Sequence, residues 1–167
     1  MKIEYKFVTG TVSKEPQSSG IVQCRNVSLR EKLLTRLLGR KEQVMIPDYE
    51  LLFKGSKTGS YLTIEPKVGS SVPVAAWEVS GADELALDHY EGFPDFYYKA
   101  EMVLPIKGIR TGKVRRRRVF VYIMHEERSL GLPSARYVAV CREGYDAFGF
   151  GQRYLTDAIQ RSMEVLK

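Results

Sequence analysis

Between residues 44 and 79 the chain carries four short runs, VMIP, YELLFKG, SYLTIEP and VPVAAWEV. They are rich in β-branched and aromatic residues and are broken by glycine and proline. This pattern constrains the fold more than any other part of the sequence. It demands a sheet, and the runs are too short and too interrupted for helices of ordinary length. Two further strands are expected at FYYKAEMVLPI and RRRRVFVYIM, joined by the hairpin IKGIRTGK. An earlier one is expected over 3–12 (IEYKFVTGTV), followed by a polar loop over 13–20.

Helices are interleaved with these strands. SLREKLLTRLLGRK places Leu29, Leu33, Leu34, Leu37 and Leu38 at helical spacing, with Ser28 and Glu31 as a capping box and Gly39 as a stop. SGADELALDHYEGF predicts a helix over 81–91, with Ser80 and Asp83 as a second capping box and Gly92 as its end. Two more are expected near 134–148 and 152–165. With 167 residues and neither a repeat nor a shift of composition, the chain reads as one α+β domain over 1–167 with a closed or strongly curved sheet.

Composition narrows the class. Hydrophobic residues make up 44% and charged residues 28%, which excludes a disordered chain. No apolar run approaches the roughly 20 residues of a membrane span, and the first residues lack the apolar stretch of a secretory signal. Two cysteines, Cys24 and Cys141, make neither a disulfide framework nor a zinc site by themselves. The expectation is a cytoplasmic protein with reduced thiols and no membrane partner. The net charge of +6 is partly local, since Lys113 and Arg115–Arg118 place five positive charges in six residues. No aromatic interleaving accompanies that run, so a solvated strand end is preferred to a nucleic-acid surface.

Chemistry concentrates on the helix over 81–91. At 100° per residue, Glu84, Asp88 and Glu91 fall within an arc of roughly 60°, where like charges repel at i,i+3 and i,i+4. Two readings stand: a solvated acidic face, or a Glu91 that points into a pocket and acts as a general base beside Asp88. His89 and His125 lack partners at metal-ligand spacing, so no metal is expected. Gly55–Ser60 lacks the order of a phosphate loop and reads as a hairpin turn. Cys24 reads as a buried apolar cysteine rather than a nucleophile.

The phrase Leu87-Asp88-His89-Tyr90-Glu91-Gly92-Phe93-Pro94-Asp95-Phe96-Tyr97, followed by a strand, resembles the gamma-glutamyl cyclotransferase-like superfamily. So does the later Pro133-Ser134-Ala135-Arg136-Tyr137 with Gly144-Tyr145. The match covers about 48–155, and the segment 1–43 diverges from it. The resemblance implies a small mixed β-barrel with flanking helices and a cavity at one end. It implies release of 5-oxoproline from a γ-glutamyl compound without metal or cofactor. Glu91 is the implied acid/base, with Asp88 supporting it, and Tyr97, Tyr122 and Tyr137 supply hydroxyls for substrate contact. The family's first strand ends in a Y-G-S-N loop that holds the substrate. Here Phe7, Val8, Thr9, Gly10 and Thr11 take that place, with Thr9 for the Tyr, Gly10 for the Gly, Thr11 for the Ser and Val12 for the Asn. The partner implied is a small molecule. The alternative is a catalytically degenerate member that binds or sequesters a small anionic or nucleotide-like ligand. The sequence leaves the oligomeric state open.

Overall fold

The computed structural model describes residues 4–8, 43–56, 59–79, 81–107 and 113–165. The expected helix after Ser28, the polar loop over 13–20, Cys24, Ser80 and the loop residues Thr9 to Val12 lie outside them. The described elements run β1 (Glu4–Val8), β2 (Gln43–Ser56), β3 (Gly59–Val79), α1 (Gly81–Glu91), β4 (Tyr97–Lys107), β5 (Val114–Met124), α2 (Ala135–Phe148) and α3 (Arg153–Val165).

The strands form one five-stranded mixed sheet in the order β2-β3-β1-β5-β4. β1 is its hinge, antiparallel to β3 (Phe7 opposite Ala76) and parallel to β5 (Phe7 opposite Val121). A closed barrel is not formed by the described residues, because no ladder among them joins the edge strands β2 and β4. The fold is α+β, the sheet is open among the described residues, and hydrogen bonds outside the ladders link its ends. The paired residues Phe53 and Leu62 show how. The Phe53 carbonyl accepts from Gly131 N–H at 3.1 Å and lies 3.5 Å from Ser162 Oγ of α3. Leu62 N–H donates to Tyr137 Oη at 3.2 Å, and Tyr97 Oη of β4 reaches Leu62 O at 3.4 Å. One residue on, Thr63 Oγ1 accepts from Met124 N–H at 2.9 Å. Ends of β4 and β5 can meet the start of β3 in this way only if the sheet curls strongly.

The four short runs of the sequence become two long strands. Pro47-Asp48 does not turn the chain. Asp48 sits at φ 58°, the register of β2 on β3 shifts there, and the Asp48 carboxylate accepts from Gly69 N–H at 2.9 Å. A break signal is thereby absorbed as a bulge. The hairpin over 55–60 does turn as expected, with Ser56 opposite Gly59. The core lies between the sheet and the helices and includes Phe53, Ile64, Val74, Val121, Ile123, Met124, Cys141 and Leu155. Among the described residues no helix is long and apolar enough to cross a membrane.

Candidate active site

α1 forms where its spacing predicts. Leu87 is buried against the sheet and Leu85 is exposed. Gly92 ends the helix at φ 64°, a left-handed conformation that suits glycine, and Phe93 N–H closes on Asp88 O at 2.9 Å. The helix delivers Glu84, Asp88 and Glu91 to one face, and that face is not simply solvated. Lys99 of β4 meets it, with Nζ 2.8 Å from Asp88 Oδ2 and also hydrogen-bonded to Glu84. Lys99 lies directly opposite Tyr122 in the β4–β5 ladder. Both side chains therefore leave the same face of the sheet, and the Tyr122 hydroxyl donates to Asp88 as well.

The rings of Phe93, Phe120 and Tyr122 surround Lys99 Nζ, with centroids at 4.9, 5.0 and 5.7 Å. Their faces favour a cation. Burial pulls the Lys99 ammonium toward neutrality, but its bonds to Asp88 and Glu84 outweigh this and hold it above the usual lysine value. Tyr122 is pushed far above the usual phenol range by burial, by its bond to Asp88 and by the charges of Asp88, Glu91 and Glu84. Tyr97 is raised by burial first and by the Glu91 carboxylate next. Both hydroxyls stay protonated through the neutral range, and Glu91 is close enough to act electrostatically on both.

The sequence-predicted residues separate into groups. Glu91, Asp88, Tyr97 and Tyr122 come together where α1 meets β4 and β5. Tyr137 is placed behind them in the core, its ring edge-on to Tyr61 at 5.5 Å and its hydroxyl on Leu62. Ser134 caps α2 by accepting from Tyr137 N–H at 3.2 Å, which accounts for the Pro-Ser-x-x-Tyr phrase as a helix start. Phe7 and Val8 are the last residues of β1, and Phe7 pairs with Val121, the neighbour of Tyr122. The strand leads toward the same end of the sheet, and Thr9, Gly10 and Thr11 beyond it lie outside the described residues. His125 Nε2 donates to Pro94 O at 2.8 Å, and Cys141 is buried. Arg115, Arg116 and Arg118 are exposed, and Arg118 makes a 3.5 Å surface pair with Glu101.

Lys99 and Phe120 were not singled out by sequence reasoning. The available signal was alternation, because Lys99 lies two residues from Tyr97 on the same strand face, opposite a helix with three carboxylates in one arc.

The sequence profile of the family described as "Gamma-glutamyl cyclotransferase, AIG2-like" matches residues 7–139. No curated protein sequence is detectably similar to the chain. Among solved structures, one named gamma-glutamyl cyclotransferase aligns at TM-score 0.62 and 18% identity, over 94% of this chain and 86% of its own. The uncharacterized human (Homo sapiens) protein loc79017 aligns at 0.62 and 19%, over 95% and 87%. YkqA from Bacillus subtilis aligns at 0.64 and 12%, over 98% of this chain and 55% of its own. At these identities the likeness is one of fold.

Proposed function

The chain belongs to the gamma-glutamyl cyclotransferase, AIG2-like family, and on that premise we propose that it cyclises a γ-glutamyl amine or peptide. The substrate's α-amine attacks its own γ-carbonyl, the γ C–N bond breaks, and 5-oxoproline and a free amine leave. Glu91 is the acid/base: it takes a proton from the ammonium and returns it to the leaving amine. Because nucleophile and electrophile are parts of one molecule, holding them in register lowers the barrier, by up to about 7–11 kcal/mol in the best-oriented cases. Side chains alone carry these steps.

The observation that supports this reading most is electrostatic. The Glu91 carboxylate acts on the hydroxyls of both Tyr97 and Tyr122, which are held protonated. A base beside two hydroxyls that keep their protons can exchange a proton with substrate without losing it to its neighbours. Tyr97 and Tyr122 then serve as hydrogen-bonding groups, and the segment from Phe7 through Thr11 binds the polar end of the substrate. A second reading, retention of a small ligand without turnover, is favoured by Thr9 and Val12 standing where the family has Tyr and Asn.

The test is incubation of the protein and its Glu91→Gln variant with γ-glutamyl amines, γ-glutamyl amino acids and glutathione, with mass detection of 5-oxoproline. We expect product from the wild type and a loss of about 100-fold or more in the variant. Turnover within about tenfold of wild type in Glu91→Gln removes Glu91 from the chemistry. No product from any substrate moves the reading to ligand binding.

A further inference from the structure

We infer that Lys99 is a positioning residue for Glu91, fixing the last turns of α1 against β4 so that the acid/base carboxylate is held toward Tyr97 and Tyr122. The inference rests on the proposed role of Glu91.

Three carboxylates in one helical arc do not hold together unaided. Glu84 and Asp88 are i,i+4 neighbours, and Glu91 follows Asp88 by three residues, about 4.5 Å along the helix axis. Their mutual repulsion would fray the last turn, where Glu91 sits. Lys99 ion-pairs with both Glu84 and Asp88 on this face. Because Lys99 belongs to β4, the pairs join helix to sheet.

A surface ion pair would leave the ammonium mobile. This one is enclosed by Phe93, Phe120 and Tyr122, and only 17% of the Lys99 side chain is exposed. Tyr122 closes the arrangement, since it faces Lys99 across the ladder and donates to the same Asp88 carboxylate. Two successive turns of one helix are thus referenced to one point on the sheet. Phe93, just past Glu91, packs on that same ammonium.

Among the described residues, the charged and titratable groups around Glu91 include Glu84 and Asp88 on its own helix, Tyr90 beside it, Tyr97 of β4 and Tyr122 of β5, and Lys99 of β4 is bonded to the first two. Removing the Lys99 ammonium takes a positive charge from beside Glu84 and Asp88 and so disfavours the ionised form of Glu91. Removal of Glu84 has the opposite sign. A role confined to stability would move neither.

The experiment compares Lys99→Met and Glu84→Gln with wild type by two readouts. The first is the pH dependence of kcat and KM for 5-oxoproline formation. The second needs no activity: carboxyl NMR titration of Glu91 in ¹³C-glutamate-labelled protein, with the resonance assigned from Glu91→Gln. In Lys99→Met we expect kcat to fall about tenfold or more with KM within about threefold. The acid limb and the Glu91 midpoint should both move to higher pH. In Glu84→Gln the Glu91 midpoint should move to lower pH, and this variant serves if Lys99→Met does not fold. A Glu91 midpoint unchanged in the variants that fold, or wild-type kcat in Lys99→Met, overturns the role of Lys99. If wild type forms no 5-oxoproline, the cyclotransferase reading fails by itself and the NMR titrations still decide the positioning.

Discussion

The Tyr122 hydroxyl and the Lys99 ammonium, opposite one another in the β4–β5 ladder, both spend hydrogens on the carboxylate of Asp88. Asp88 is therefore the joint between α1 and the sheet, and its two partners are not independent. Tyr122→Phe removes one charge-assisted bond and should cost about 1.5–3 kcal/mol in urea unfolding. Asp88→Asn should cost more, because it also leaves the half-buried Lys99 with Glu84 as its only described carboxylate partner. The double variant should be less destabilised than the sum of the two by about 0.5 kcal/mol or more. Strict additivity would show that the two bonds do not share Asp88 in solution.

Alkaline stability should fail abruptly. Burial raises Tyr97, Tyr122, Tyr137 and Tyr145 above the usual phenol value, and Lys99 is also raised, on balance by its bonds to Asp88 and Glu84. In each case the folded state holds its proton more tightly than the unfolded state. Their stabilisation is complete below the unfolded values, near pH 10, and is lost as pH rises from there toward the folded ones. Each group whose proton is held only in the folded state adds up to about 1.4 kcal/mol per pH unit to the loss. Urea midpoints should be flat from about pH 8 to 9.5 and fall steeply above about pH 10. Absorbance at 295 nm should report these tyrosines ionising in one step that coincides with unfolding. Ionisation of all ten tyrosines well before loss of far-UV signal would contradict the burial argument.

Particular residues show what the sequence made legible. The 81–91 helix could be read because its signals are local: spacing within one element, and Gly92 where a left-handed residue is needed. The same holds for α2, whose Ser134 cap and Gly149 stop are both next to it in sequence. Asp48 was not legible. Beside Pro47 it carries a turn signal, and only its bond to Gly69 on another strand converts the turn into a bulge. Lys99 was hidden for the same reason, because its partners lie 11 and 15 residues away on a different element. The barrel implied by the resemblance is not closed by any ladder among the described residues, where the closing contacts are side-chain bonds at Leu62 and Thr63. Such bonds leave no periodic trace. Of the expected substrate loop, only Phe7 and Val8 fall among the described residues.

Gly131 sits where the 125–131 segment crosses the edge of β2. A Cβ there would fall inside the van der Waals envelope of Ser60 Oγ, while the Ser60 Cβ lies at an acceptable 3.4 Å. Ser60 is buried, so it has little room to move. Gly131→Ala should destabilise by about 1–3 kcal/mol through overpacking. Ser60→Ala on that background removes the offending oxygen and should recover about half of the loss or more. Thermal melts of the two single variants and the double settle it, and a wild-type melting temperature in Gly131→Ala alone would show that the segment yields without cost.

Tyr137 carries a structural expectation that can be separated from any role at the substrate. It is fully enclosed between Tyr61, Phe53 and Cys141, and its oxygen accepts from the Leu62 N–H that the β2–β3 ladder leaves over. Tyr137→Phe keeps the ring and strands that donor in a buried place, at a cost of about 1–3 kcal/mol. The loss should appear locally, as faster amide exchange at Leu62 under native conditions, and globally, as a lower urea midpoint with an unchanged slope. Tyr97 contributes the other bond at Leu62, to its carbonyl. A carbonyl left bare costs less than a stranded N–H because it accepts more readily from elsewhere. Tyr97→Phe should therefore leave Leu62 exchange closer to wild type than Tyr137→Phe does. If the two variants exchange alike, Tyr137 is not the acceptor that holds this edge of the sheet.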